Sequence, residues 1–187
     1  MGRRPAKQRQ HAQRNGGLKL DRHARDTAND TDPNVRSANY VIVESRILCL
    51  QCNVVTAVFA FALPVGYESL YVDDDTPDDE NGTWEAPGMA AVLSYVEYLP
   101  ETVANRIRAM TSHYRIDLDS ENGGTFWMNH CEHCGAQMEE EELHGEPEGP
   151  FGPMAYEGVE AIRLHEVREP FEARAGGESH DLSSLDS

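Results

Sequence analysis

The chain has 187 residues, 39% hydrophobic and 26% charged, with a formal net charge of -17. These values exclude a multi-pass membrane protein and a collagen-like fibre, and they leave one modest domain with polar ends. Charge is segregated: the first 25 residues carry eight basic side chains and one acid, Asp21, whereas residues 37–187 carry seven basic and 29 acidic ones. An acidic body repels a phosphate backbone, so any nucleic-acid contact falls to the basic arm.

In chain order, residues 1–38 read as a disordered basic arm, without an apolar period. The twin arginine Arg3-Arg4 is followed by polar residues and no apolar stretch, so no export signal is expected and the expected compartment is a reducing cytoplasm. An ordered domain is expected over 39–172, opening with a short β-rich run at Tyr40 to Glu44. The most apolar stretch, Val54 to Val65, is short of the roughly 20 residues a spanning helix needs. It is rich in β-branched and aromatic residues and reads as a buried strand stopped by Pro64. Leu70 to Val72 reads as another short strand.

The acidic loop 73–80 lacks the spacing of an EF-hand and reads as solvated. Val92, Leu93, Val96 and Leu99 fall on a 3–4 spacing that predicts a helix over 90–99. Pro100 opens a second helix, with Glu101 in the first turn and Val103, Ile107, Met110 and Tyr114 as its apolar stripe. Thr125 to Met128 reads as a short strand, Glu139 to Glu142 as a solvated face, and 173–187 as a disordered tail.

The informative signal is the cysteines. All four fall into two C-x-x-C pairs, Cys49/Cys52 and Cys131/Cys134, with none left over. Such a pair wraps a turn whose two thiolates face one metal, and two turns supply a tetrahedral four-thiolate zinc site. The residue after the second cysteine often needs a positive φ, and here it is Asn53 or Gly135, both of which tolerate it. Residues 53–130 separate the pairs, and closing that loop costs roughly 4 kcal/mol. Structural zinc contributes on the order of 10–16 kcal/mol in finger peptides, so the metal outweighs the loop. Thioredoxin-like redox use of one pair and an iron–sulfur cluster are the alternatives. His130 and His133 flank Cys131 and are candidates to replace a cysteine ligand. A closed site of four thiolates leaves no position for water or substrate, and no G-x-S-x-G, H-E-x-x-H or phosphate loop is present, so no catalytic residue is assigned.

The segments CLQCNVVTAV at 49–58, TFWMNHCEHCGAQ at 125–137 and LHGEPEGPF at 143–151 resemble a set of uncharacterised bacterial zinc-ribbon-like proteins. The resemblance implies two metal-binding halves that meet across a long insert, and it implies no activity.

The expected fold is therefore α+β: a small antiparallel zinc-ribbon-like sheet with two knuckles, a helical insertion at about 64–124, and one structural Zn2+ per chain on Cys49, Cys52, Cys131 and Cys134. Phe126, Trp127, Val54, Val58 and Phe59 are expected to form a core beside the metal. Because that core is small, zinc is expected to be needed for folding. The expected function is a non-enzymatic module that binds a protein partner. The alternatives are a nucleic-acid-associated protein using residues 1–36 and a thiol oxidoreductase.

Overall fold

A computed structural model of the protein describes residues 31–72, 82–120, 122–146, 149–151 and 162–180. The body of the basic arm and the acidic loop 73–80 lie outside the described residues.

The chain folds around one large antiparallel sheet, not a small ribbon. In chain order its strands are β1 (Val35–Ser37), β2 (Tyr40–Leu48), β3 (Val55–Leu63), β4 (Glu68–Tyr71), β5 (Thr83–Glu85), β6 (Ala91–Tyr98), β9 (Arg163–Val167) and β10 (Phe171–Ser179). They lie side by side in the order β5-β4-β1-β10-β6-β3-β2-β9. A separate hairpin of β7 (Tyr114–Asp119) and β8 (Gly124–Asn129) packs beside it, and one α-helix, α1 (Glu101–Met110), precedes that hairpin.

The β2–β3 hairpin dominates the sheet. Its register runs from Val41↔Ala62 to Leu48↔Val55, and β3 is buried on both faces over most of its length. One face carries Tyr40, Ile42, Phe59 and Phe61 into a core with Phe171, Trp127 and the buried α1 residues Val103, Ala104 and Ile107. Tyr40, Phe61 and Phe171 meet there at centroid distances of 4.8 to 6.0 Å. The other face carries Val43, Val58, Ala60 and Ala62 into a second cluster with Cys49, Cys131, Met138, Leu143 and Phe151. The sheet thus separates the helix from the cysteines.

Several expectations are corrected. Among the described residues, the segment between the cysteine pairs holds six strands and one helix, and the predicted helix at 90–99 is β6. β6 lies between β3 and β10 and is buried on both faces at Val92, Leu93 and Val96. Burial on both faces removes the two-residue alternation, and a 3–4 spacing of apolar residues then arises without a helix. The predicted tail is also strand to Ser179, with Phe171, Ala173 and Ala175 buried in alternation against β1 and β6. Order begins before residue 39, because β1 pairs with both β10 and β4.

The helix after Pro100 forms as expected, with Glu101 in its first turn and Arg108 in its last. Its stripe ends early: Met110 is partly exposed, and Tyr114 is buried from β7. Within the predicted core, Val58 reaches the cysteine-side cluster, but Phe59 and Trp127 lie on the opposite face and Val54 is exposed. Phe126 packs edge-on against Tyr95 at 5.3 Å.

Candidate metal centre

Each cysteine pair is the loop of a hairpin. The first joins β2 to β3, directly beyond the last cross-strand pair, Leu48↔Val55. The second follows β8 and is closed by a bridge between His130 and Gln137. Both loops close with the same two backbone bonds. Asn53 N–H donates to the Cys49 carbonyl at 2.8 Å, and Cys49 N–H donates to the Val54 carbonyl at 3.0 Å. In the second loop Gly135 N–H donates to the Cys131 carbonyl at 2.9 Å, and Cys131 N–H to the Ala136 carbonyl at 2.8 Å. The residue that closes each turn is left-handed, with φ of 55° at Asn53 and 74° at Gly135.

The chain brings the two loops together. All four sulfurs lie within 4.8 Å of one another, with Cys49 Sγ 3.7 Å from Cys134 Sγ and Cys52 Sγ 3.7 Å from Cys131 Sγ. Zinc–sulfur bonds of about 2.3 Å in a tetrahedron place sulfurs about 3.8 Å apart. The four sulfurs are therefore close enough together to hold a single metal ion. Contacts that involve no pair of sulfurs hold the second loop against the start of β3. Glu132 N–H donates to Thr56 Oγ1 at 3.0 Å, Ala57 N–H to Glu132 Oε2 at 3.4 Å, and the His133 ring to the Val55 carbonyl at 3.2 Å.

The two histidines are engaged elsewhere. His130 Nε2 lies 2.9 Å from Asp117 Oδ2, and its Nδ1 lies 3.0 Å from the Met128 carbonyl. The ring contact of His133 with Val55 directs it along β3. Neither histidine takes the place of a cysteine in the sulfur cluster.

Cys131, Cys52 and Cys134 differ in how readily they ionise. Burial pushes the Cys131 thiol up, but the N–H groups of Cys134 and His133, with the neighbouring sulfurs, bring it down to about 6. Burial pushes Cys52 up to about 12, against the Val54 N–H and together with the three other thiols. Cys134 also stands above its ordinary value: the Ala136 N–H lowers it, and burial with the Cys131 and Cys49 sulfurs raises it by more. Backbone amides thus stabilise the first thiolate, and without a cation the cluster resists further charge. Neither C-x-x-C pair opens a helix, the placement a thioredoxin-like thiol uses.

A buried polar pair nearby carries no signal in the sequence. Glu140, from the acidic run read as a solvated face, is 3% exposed. It precedes a π-helical turn (Glu141–Gly145) and accepts the Tyr95 N–H at 2.8 Å. Tyr95 itself is left-handed, with φ of 52°. His144, one turn on, sets Nε2 3.6 Å from Glu140 Oε2, and its buried Nδ1 lacks a partner. Burial brings the Glu140 carboxyl up to about 7, against the Tyr95 N–H and aided by Asp119, and brings His144 down to about 3. The pair is therefore neutral near pH 6, its proton on the carboxyl and not on the ring. A lone acid flanked by Glu139 and Glu141 looks like its neighbours; only the fold distinguishes it.

No family model matches the chain, and no curated protein and no solved structure shows significant similarity to it. Among the described residues, no helix is long and apolar enough to cross a membrane.

Proposed function

We propose that the chain is a zinc-holding, non-enzymatic interaction module, with Cys49, Cys52, Cys131 and Cys134 as the ligands of one structural zinc per chain. The observation that carries this reading is the spacing of four sulfurs from two matched hairpin loops, 3.7 Å across each facing pair. Four thiolates fill a tetrahedral zinc, so the metal joins two parts of the chain and activates no water. The partner we propose is a protein. Leu50, at the tip of the first loop, is 73% exposed, and Leu48, Val54 and Val55 beside it are exposed as well, which supports apolar contact by that loop. Native mass spectrometry tests the metal: one zinc per chain, released only on denaturation, is expected, and a metal-free chain with four reactive thiols would refute it.

The segregated charge favours one further reading, in which residues 1–36 bind nucleic acid beside the zinc site. Binding through that arm falls steeply with salt and disappears when 1–36 are deleted. Filter binding at two salt concentrations separates it from binding by the acidic body.

A further inference from the structure

The four thiols differ in access as well as in pairing. Cys134 is exposed and Cys52 half-buried, whereas Cys49 and Cys131 are buried. Each accessible sulfur lies 3.7 Å from a buried one on the opposite loop: Cys134 from Cys49, and Cys52 from Cys131. Resting on the zinc reading above, we propose that the centre is also a redox switch, which an oxidant of the hypohalous acid class converts to cross-loop disulfides with release of the zinc.

The exposed Cys134 thiolate attacks hypochlorous acid at chlorine, forming a sulfur–chlorine bond and releasing hydroxide. Cys49 then attacks that sulfur, forms the sulfur–sulfur bond and expels chloride. Chlorine takes up two electrons, and each sulfur gives up one. Two of the four donors are then lost, and the remaining pair holds zinc far less tightly. A second equivalent joins Cys52 to Cys131 in the same way.

The contacts of Glu132 and His133 with Thr56, Ala57 and Val55 keep the second loop on β3 without help from the metal. The facing sulfurs therefore stay together as zinc leaves. Each disulfide ties the same two loops that the metal tied, so oxidation exchanges one staple for another and the sheet stays folded.

The test uses the full chain loaded with zinc, its metal content measured before any oxidant is added. One and then two equivalents of hypochlorous acid follow. Released zinc is read with a chromogenic chelator, the disulfides by non-reducing peptide mapping, and the fold by thermal melting. Cys49–Cys134 is expected first, with zinc released alongside it, then Cys52–Cys131, and the oxidised chain is expected to melt cooperatively. Dithiothreitol with added zinc is expected to restore the starting state. A zinc-loaded chain that gives disulfides within one loop, disulfides between chains, retained zinc or a lost melting transition would overturn the switch alone. A chain that takes up no zinc at the outset would overturn the metal reading and the switch together.

Discussion

The side chain of Asn129 hydrogen-bonds the backbone of Phe59 twice, accepting its N–H at 2.8 Å and donating to its carbonyl at 2.9 Å. Pairing of β3 with β6 stops at Phe61, so the carboxamide takes the place of a strand that β3 lacks at Phe59. Asn34 does the same for β10, bonding the N–H and carbonyl of Ala175 at 2.9 and 2.8 Å. Asn129 lies two residues before Cys131, and Phe59 lies on the strand that follows Cys52. The two loops are thus aligned by a polar clasp that needs no metal.

Replacing Asn129 with Ala leaves a buried N–H and a buried carbonyl without partners. At about 1–3 kcal/mol for each of the two unsatisfied groups, the expected cost is roughly 2–6 kcal/mol, read as a lower urea midpoint. Asn129→Asp keeps the acceptor but loses the donor and buries a charge, so it should do no better. A midpoint unchanged in Asn129→Ala would show that the clasp contributes nothing.

Metal removal separates two accounts of folding. From sequence, the core looked too small to stand without zinc. The sheet instead carries a cluster, on the face away from the cysteines, that includes Tyr40, Phe61, Phe171 and Ile107. Chelation, or Cys49→Ser, is therefore expected to lower the melting temperature by more than ~10 °C while the far-ultraviolet strand signal persists at 20 °C. Complete loss of that signal would restore the first account.

What could be read from the residues alone follows from where each signal is stored. The cysteine loops are local: spacing, Asn53 and Gly135 together specify the turn, and both residues are left-handed as expected. β3 is equally local, since its β-branched and aromatic run has little other use. β6 and β10 are not local. The Gly176-Gly177 pair reads as a fraying end, yet an added Cβ at Gly177 would lie 2.5 Å from Ser94 Oγ, and one at Gly176 would lie 3.0 Å from Tyr95 Cβ. Those glycines admit the bent part of β6, a constraint set by a strand some eighty positions away. Glu140 is likewise buried where it accepts the Tyr95 N–H, a partner that nothing in the acidic run announces.

Acid stability should report the Glu140–His144 pair. Glu140 holds its proton up to about pH 7 in the folded chain, against 4.5 for the ordinary group, so its contribution declines as pH rises between those values. His144 stays neutral down to about pH 3, against 6.5, so its contribution declines as pH falls between those values. From pH 4.5 to 6.5 the two slopes cancel, because folded and unfolded chains each hold one proton on the pair. Below 4.5 only the histidine acts, at about 1.4 kcal/mol per pH unit. Glu140→Gln removes the compensation, so its acid destabilisation should begin near pH 6.5 instead of 4.5. His144→Gln should do the opposite and gain stability relative to wild type as pH falls. Denaturation midpoints measured from pH 3 to 8 decide this, and parallel curves for wild type and Glu140→Gln would refute it.

The two loop-closing residues make a matched comparison. Gly135 has φ of 74°, and an added Cβ there would meet nothing within 4 Å. Gly135→Ala therefore introduces no clash and costs only the backbone preference against the left-handed region, roughly 1 kcal/mol. In a chain of this size that is a fall of about 2–4 °C in the melting temperature of the zinc-loaded protein. Asn53 already bears a side chain at φ of 55°, a conformation asparagine tolerates, so Asn53→Gly should move the melting temperature by less than ~2 °C. Asn53→Val should lower it by more than Gly135→Ala does, since β-branching is the least compatible with a left-handed backbone. A larger loss in Asn53→Gly than in Gly135→Ala would mean that the Asn53 side chain, and not its backbone conformation, is what the first loop requires.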